Sequence, residues 1–276
     1  MSSVLRSRLS ATVVGRASAP VNSFVSEVGG MAVLLRRTIV AAVRPPYNYG
    51  PELVSQFLFG LRRCWLPMVL ASIAFTYGPA GIQAAGFLGL FGALDRLGGL
   101  FAQIVLREFA PLVCAIVIAG VAGTAMCADL GARRIREELD ALSVLGIDVV
   151  KSLVVPRFLS LMALTGLFDI YALLFGTFGG MLVTISNHQP LGPFFATYLN
   201  NATTTELAAS LIKTTLFGGL IAIVCCYKGL NASGGPEGVG RAVNQAVVMA
   251  FLGFGALDYV FTQTLLATHP ALNSVR

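Results

Sequence analysis

Residues 109–128 read FAPLVCAIVIAGVAGTAMCA, and none of these 20 positions carries a charged side chain. A helix rises 1.5 Å per residue, so 20 residues extend about 30 Å, the hydrocarbon thickness of a bilayer. This segment therefore predicts a transmembrane helix.

The composition of the whole chain agrees with this prediction. Of its 276 residues, 56% are hydrophobic and 12% are charged, whereas roughly a quarter are charged in ordinary soluble domains. This composition excludes a disordered chain, a charged nucleic-acid-binding domain and most cytosolic enzymes. Four further apolar runs predict spans at about residues 65–88, 156–185, 207–227 and 242–266. The predicted fold class is an all-α membrane protein with about five transmembrane helices.

The distribution of basic residues predicts the orientation. With the N-terminus in the cytoplasm, fifteen of the 19 Lys and Arg residues fall on the cytoplasmic side and four on the outer side. Cytoplasmic loops carry an excess of Lys and Arg. We therefore expect a multi-pass protein of the plasma (inner) membrane with a cytoplasmic N-terminus. The net charge of +6 then needs no nucleic-acid partner.

The segments outside the spans divide the chain further. Residues 1–19 predict a disordered cytoplasmic tail, and residues 20–63 predict amphipathic helices at the inner membrane surface, broken at Pro45-Pro46. An ordinary packed amphipathic helix is the alternative for residues 20–44. Residues 64–266 form the predicted membrane domain, and residues 267–276 a short extracytoplasmic tail.

The loop between spans two and three predicts a short amphipathic helix. Ile135, Leu139, Leu142 and Leu145 fall on one helical face, and Gly146 ends the pattern. The opposite face offers three i,i+4 ion pairs, namely Arg133–Glu137, Arg134–Glu138 and Arg136–Asp140. An apolar ridge beside a mixed-charge face favours docking into a cytoplasmic partner, and a helix lying on the lipid surface is the alternative.

Several motifs resemble one membrane-protein family. They are Glu108-x-x-Pro111, Ala119-Gly120-x-x-Gly123, Ala128-Asp129-Leu130-Gly131, Glu137-x-x-Asp140-Ala141-Leu142-x-x-x-Gly146, Val154-Val155-Pro156-Arg157, Cys226-Tyr227-x-Gly229 and Gly234-Gly235-Pro236-x-x-Val239-Gly240. Over residues 50–265 the chain resembles the MlaE/YrbE permeases. The run at residues 124–129 is most similar to the A-type YrbE subunits of actinobacterial Mce lipid importers. Val121 and Asp129 depart from the Arg and Glu of many relatives.

The resemblance implies the permease subunit of an ABC-type lipid importer. The loop helix would be the coupling helix, and its implied ATPase contacts are Arg133, Arg134, Ile135, Glu137, Glu138, Leu139, Asp140 and Leu142. The implied partners are a second permease subunit (B-type YrbE), two copies of a cytoplasmic ABC ATPase and extracytoplasmic Mce lipid-binding proteins. This chain has no phosphate-binding Gly-x-x-x-x-Gly-Lys-[Ser/Thr] loop, so ATP and Mg would be bound by the partner ATPase and no cofactor by this chain.

Four charged residues within the predicted membrane segments are candidates for a lipid path: Glu108, Asp169, Lys213 and Asp258. A charge at bilayer depth costs about 2.5–3.5 kcal/mol on insertion scales. Counting residues places all four in the outer half, with Asp169 and Lys213 at similar depth, so we expect these two to face each other or to share a polar pocket. The functional interpretation is an outward cavity that holds a lipid headgroup, and the structural one is charges that clamp helices together.

The predicted function is movement of a hydrophobic lipid (fatty acid, mycolic acid or sterol class) across the membrane by alternating access. The alternatives are a membrane-embedded lipid-modifying enzyme and a non-transporting scaffold half of a permease heterodimer. The five cysteines and two histidines show no metal-ligating spacing, so no catalytic or metal site is predicted.

Overall fold

A computed structural model describes residues 24–269, which form helices joined by short turns, without a β-strand in that range. The expectations for residues 1–19 and for most of the C-terminal tail lie outside the described residues. The helices are α1 (24–43), α2 (Gly50–Leu90), α3 (Leu94–Ile135), α4 (Glu138–Val144), α5 (Val150–Ser186), α6 (Leu191–Asn201), α7 (Thr204–Leu230) and α8 (Gly235–Thr268).

Five of these helices, α2, α3, α5, α7 and α8, are long and apolar enough to cross a membrane. The prediction of an all-α membrane protein with about five spans is thereby confirmed. Because consecutive spans run in opposite directions, α4 and the turn between α7 and α8 lie at one end of the bundle, and α6 lies at the other. We call these the α4 end and the α6 end.

The long helices extend beyond the predicted spans. Residues 52–63, the last part of the predicted amphipathic region, are the first turns of α2. The Gly78-Pro79 pair does not interrupt this helix, because a π-helical segment at Thr76–Ile82 contains the proline. Helix α3 begins 15 residues before the uncharged run, at Leu94 rather than residue 109. Hydropathy identifies only the apolar part of a helix. The helical backbone hydrogen bonds continue beyond that part, so the helices are longer than the predicted spans.

Helices α5 and α7 form the centre of the bundle. Helix α5 packs against α2 and α7, and α7 packs against α8 and α3. Helices α2 and α8 leave most of their apolar windows exposed. Close approach of α5 and α7 requires Gly218, where a Cβ would collide with Thr165 Oγ1 and the Leu161 carbonyl. The short helix α6, which hydropathy did not predict, packs against the start of α3.

The loop helix differs from its prediction. Helix α3 ends at Ile135, and Glu137 takes a left-handed conformation (φ 59°) before α4 begins at Glu138. The continuous helix expected over residues 133–145 is therefore wrong, and so is its single apolar face. Leu139 lies within α4 and is buried, whereas Leu145 follows the last residue of α4 and is 74% exposed.

The ion pairs of this loop change for the same reason. None of the three predicted i,i+4 pairs forms among these described residues. Their places are taken by Arg133–Asp129 at 3.2 Å, Arg134–Asp140 at 2.6 Å and Arg136–Glu138 at 2.6 Å. Arginine side chains are long enough to reach an acid on either side of the break.

Helix α1 packs against the bundle at the α4 end. Met31, Leu34 and Thr38 are buried on one face, and Lys228 Nζ of α7 donates a hydrogen bond to Glu27 Oε2 at 2.8 Å. Its other face leaves apolar residues exposed, including Val33. Helix α1 thus has one face packed against the bundle and one exposed apolar face, and its position at the inner membrane surface stays a prediction.

Candidate functional site

Lys213, on α7, is the centre of a polar cluster between α3, α7 and α8. Its ammonium donates hydrogen bonds to Asp258 Oδ1 at 2.7 Å and to Thr262 Oγ1 at 3.2 Å. It also donates to the backbone carbonyl of Arg107. Glu108 Oε2 lies 3.7 Å from the ammonium, and Glu108 Oε1 accepts a hydrogen bond from Thr262 at 3.1 Å. The structure therefore brings three of the four predicted membrane charges together.

The members of this Lys213 cluster differ in exposure. The side chain of Lys213 is 3% exposed, that of Asp258 16% and that of Glu108 35%. Two carboxylates and one ammonium leave the cluster with a net negative charge when all are ionised. Glu108 is thus the member best placed to meet a polar group from outside, and Lys213 is held in position behind it.

A second pair lies beside this cluster. The Arg107 guanidinium donates to Glu206 Oε1 through Nε at 2.8 Å, and its Nη2 lies 2.6 Å from the same oxygen. Glu206 begins α7 within the helix cap formed by Thr203, whose Oγ1 accepts from the Glu206 amide at 3.3 Å. Glu206 Oε2 is buried without a hydrogen-bond partner among residues 24–269. Sequence reasoning treated Arg107 only as a marker of topology and did not single out Glu206.

Asp169, on α5, occupies a different position. Its carboxylate accepts hydrogen bonds from Ser210 Oγ at 2.9 Å and from Thr214 Oγ1 at 3.0 Å, and the residue is fully buried. No ion pair within 4 Å joins Asp169 to Lys213, so these two charges do not contact each other directly, and a shared polar pocket stays a prediction. Residues turn by about 100° each along a helix, so Ser210 and Thr214 face α5 while Lys213 faces α3 and α8. Counting residues along a helix estimates how deep a side chain lies in the membrane, but it does not show which neighbouring helix that side chain faces.

An apolar groove of about 600 Å³ opens between α5, α6 and the start of α7. It is bordered by Leu106, Ile170, Leu173 and Phe178, with the hydroxyls of Thr177 and Tyr198 joined at 2.9 Å. None of the four predicted membrane charges lines it. The charged and the apolar parts of the expected cavity are thus separate places within this subunit, and both lie toward the α6 end.

At the α4 end, Arg157 is a buried cation that sequence reasoning used for orientation and as part of a family motif but not as a site residue. Its Nη2 donates to Asp129 Oδ2 at 2.6 Å, and its Nη1 donates to the Leu153 carbonyl at 2.8 Å. Asp129 also accepts from Arg133 Nε at 3.2 Å. The pair joins the start of α5 to the end of α3, on either side of α4. A basic residue directly after Pro156 in an apolar run was the available signal.

The predicted ATPase-contact residues surround the α3–α4 break. Arg133, Arg134 and Ile135 form the last turn of α3, Glu137 is the left-handed residue, and Glu138, Leu139, Asp140 and Leu142 belong to α4. Leu139 and Leu142 face the bundle. The hydrogen bond from Arg136 lowers the pKa of the exposed Glu138 carboxyl below its ordinary value.

The tip of this loop exposes apolar side chains. Val144 is 87% exposed and Leu145 is 74% exposed. Sequence reasoning did not single out Val144. Apolar side chains exposed beyond the end of a membrane bundle are unfavourable in water, so this tip has the character of a contact surface for a protein or for the membrane.

The described part of the chain contains no group of three or more His, Cys, Asp or Glu that could hold a metal ion.

Comparisons with known proteins agree on one family. The model of the family Permease MlaE matches residues 53–264. A probable ABC transporter permease protein of Synechocystis sp. is 36% identical over 195 residues, covering 67% of this chain and 73% of the relative. The chloroplastic protein Trigalactosyldiacylglycerol 1 of Arabidopsis thaliana is 31% identical, covering 72% of this chain and 56% of the relative.

A third relative has a more specific name. The intermembrane phospholipid transport system permease protein MlaE of Haemophilus influenzae is 28% identical over 218 residues, covering 78% of this chain and 83% of the relative. The family match extends from the first turns of α2 to the last turns of α8 and contains α4 and the Lys213 cluster. The chain therefore belongs to the MlaE permease family.

Proposed function

We propose that this chain is a permease subunit of an ABC-type lipid transporter and that it moves a lipid by alternating access. Relatives are named as ABC transporter permeases, and the Haemophilus influenzae relative is named for phospholipid transport. ATP and Mg would be bound by a partner ATPase, which supplies the energy.

The observation that carries this proposal is the Lys213 cluster. Three ionisable groups lie among membrane helices, with Lys213 almost completely buried and Glu108 partly open. Ionisable residues within membrane segments mark substrate paths by default, because their burial is costly. The partly exposed Glu108, held by the buried Lys213, offers an acceptor for a polar headgroup, and the apolar groove beside α6 suits a hydrocarbon chain.

The tip of α4 supports the energy-coupling part of the proposal. Val144 and Leu145 project from the α4 end, and the ion pair of the buried Arg157 with the partly exposed Asp129 joins α3 to α5 on either side of them. Displacement of this tip would therefore act on two spans together. In this proposal the α4 end and the N-terminus face the cytoplasm, as the positive charge of that end also indicates.

The finer assignment rests on the sequence resemblance. It comprises an Mce-type importer of the plasma membrane, with this chain as the A-type YrbE subunit beside a B-type subunit. Two ATPase copies and extracytoplasmic Mce proteins complete the assembly, and the cargo is a fatty acid, mycolic acid or sterol. The support is the similarity at residues 124–129 together with the motifs that precede and follow α4.

The test is lipid transfer by the assembled transporter in proteoliposomes, with Glu108→Gln compared with Glu237→Gln. Glu237 is an exposed acid at the α4 end that pairs only with Arg241 among the described residues. We expect Glu108→Gln to lower the rate of lipid transfer by tenfold or more per assembled complex, and Glu237→Gln to leave it unchanged. Equal transfer by both variants would contradict a lipid path at this cluster.

A second measurement separates transport from the alternatives. A scaffold half would recruit the ATPase but show normal transfer after Glu108→Gln, whereas an enzyme would release a chemically altered lipid. Mass spectrometry of the lipids before and after transfer, with recruitment measured on the same preparations, distinguishes these outcomes. Unaltered lipid, normal recruitment and slow transfer are the results expected here.

A further inference from the structure

A basic groove of about 710 Å³ lies between the end of α1 and the start of α5. Arg36, Arg37 and Arg44 line one side of it, and Lys151 lines the other. No acidic side chain of the described residues forms an ion pair with these three arginines. The groove is far from the Lys213 cluster, because it lies at the α4 end.

The one acid in the groove is already engaged. Asp148 Oδ1 accepts hydrogen bonds from the backbone amides of Val150 at 2.9 Å and Lys151 at 3.3 Å. The Lys151 ammonium donates to the Arg44 carbonyl at 3.1 Å and so joins the two helices. Four cations and one anion leave the groove with a net charge of about +3, which favours an anionic ligand.

The apolar lining defines the ligand further. Val33, Val40 and Val150 border the same groove, and the exposed apolar face of α1 continues from it. A free phosphate needs only the cations, whereas a phospholipid brings a phosphate together with hydrocarbon. Arginine forms paired hydrogen bonds to phosphate oxygens, and a helix with an apolar face and adjacent arginines is typical of binding at an anionic membrane surface.

We propose that this groove binds the phosphate headgroup of an anionic glycerophospholipid, with its hydrocarbon against the valines of α1 and α5. The bound lipid would join α1 to the segment that directly follows α4. This site is separate from the proposed transport path. Its test in detergent does not depend on which way the chain is oriented, so its failure would leave the proposed function untouched.

The experiment uses the full chain, purified in detergent, delipidated and titrated with phosphatidylglycerol or phosphatidylcholine. Bound lipid is measured by native mass spectrometry. The variant is Arg36→Gln with Arg37→Gln, and the matched control is Arg62→Gln with Arg63→Gln on α2, an exposed pair outside the groove with the same change of charge.

We expect the wild-type chain to prefer phosphatidylglycerol. Each basic residue near an anionic headgroup contributes about 1 kcal/mol, so the groove variant should lose affinity by about 30-fold. The control should lose less than about threefold, because Arg62 and Arg63 act only through the general field. Arg44→Gln offers a milder second variant, in which the backbone contact with Lys151 is retained.

Four results would overturn the proposal. The first is an equal loss in both double variants, and the second is equal binding of the two lipids by the wild-type chain. The third is displacement of phosphatidylglycerol by excess inorganic phosphate, which would make the groove a phosphate site. The fourth is unchanged lipid binding in a groove variant that no longer associates with the ATPase, which would make it a protein contact. Helix content and gel filtration of each variant confirm that it is folded.

Discussion

The ion pair between Lys213 and Asp258 is expected to stabilise the packing of α7 on α8, and Asp258→Asn tests it. Lys213 Nζ lies 2.7 Å from Asp258 Oδ1, and the side chain of Lys213 is 3% exposed. At an effective dielectric constant of 20, their attraction is about 6 kcal/mol before desolvation is counted. Removing one partner of a buried pair typically costs about 3–5 kcal/mol, because the other charge stays buried without compensation.

Because Glu108 also contacts the Lys213 ammonium, the cost of Asp258→Asn should fall at the lower end of this range of about 3–5 kcal/mol. The Glu108 carboxylate lies 3.7 Å from the same ammonium and remains in the variant, so we expect Asp258→Asn to cost about 3 kcal/mol. Glu108→Gln should cost only about 1 kcal/mol, because its side chain is 35% exposed and solvent screens the pair. The order of these two effects follows directly from distance and exposure.

The assay is reversible unfolding of the full chain in mixed micelles of a non-ionic detergent and dodecyl sulfate. A double-mutant cycle with Lys213→Met isolates the pair. We expect a coupling free energy of about 2 kcal/mol, with the double variant more stable than the Asp258→Asn chain. On the same helix, Glu237→Gln is the control, since its exposed pair with Arg241 should contribute at most about 0.5 kcal/mol.

Additive effects of Lys213→Met and Asp258→Asn, within about 0.5 kcal/mol, would refute this reasoning. So would a larger loss for Glu108→Gln than for Asp258→Asn. Either result would mean that the ammonium is not held mainly by Asp258.

Three further predictions concern other parts of the molecule. Val144→Asp should leave the unfolding midpoint unchanged and weaken ATPase recruitment in a pull-down by tenfold or more, because Val144 is 87% exposed. Leu139→Asp should instead destabilise the chain by about 3 kcal/mol, because Leu139 is buried. Normal recruitment by the Val144 variant would refute the docking role. Gly98→Ala should lower the midpoint of thermal unfolding by several degrees, because a Cβ there would collide with a backbone carbonyl of α6. Gly86→Ala is the matched control, with open space at its Cβ, and should be neutral or slightly stabilising. Equal unfolding midpoints for these two variants would contradict this packing. Asp169→Asn should cost about 2 kcal/mol in the same unfolding assay, because an amide offers one oxygen to the two hydroxyls of α7 where the carboxylate offers two; an unchanged free energy of unfolding would show that these hydrogen bonds do not hold α5 to α7.

The spans were predictable because membrane insertion depends on properties that are local in sequence. A run such as residues 109–128 is apolar whatever surrounds it, and its length can be compared directly with the bilayer. The exact helix ends were not predictable in this way. Helix α3 continues through Arg107 and Glu108 because both side chains find partners on α7, and those partners lie about 100 residues away in the sequence.

The four charged candidates also show what could and could not be predicted from the sequence. An ionisable residue in an apolar run is visible in the sequence, so Glu108, Asp169, Lys213 and Asp258 were all identifiable. Their pairing was not, because it depends on how each helix is rotated about its axis. One turn of α7 presents Lys213 to α8 and the hydroxyls of Ser210 and Thr214 to α5.

The amino-acid sequence by itself determined an all-helical membrane chain, the number of its spans and the residue types available for a polar path. Hydropathy and charge act on each segment separately, so these features needed no knowledge of its neighbours. Only the tertiary structure decided that Lys213 pairs with Asp258 and that Glu137 separates α4 from α3. It also brought the arginines of α1 to the start of α5. The Lys213–Asp258 pair and the approach of α1 to α5 arise from contacts between segments far apart in the chain, whose relative rotation and approach are fixed only when the helices pack.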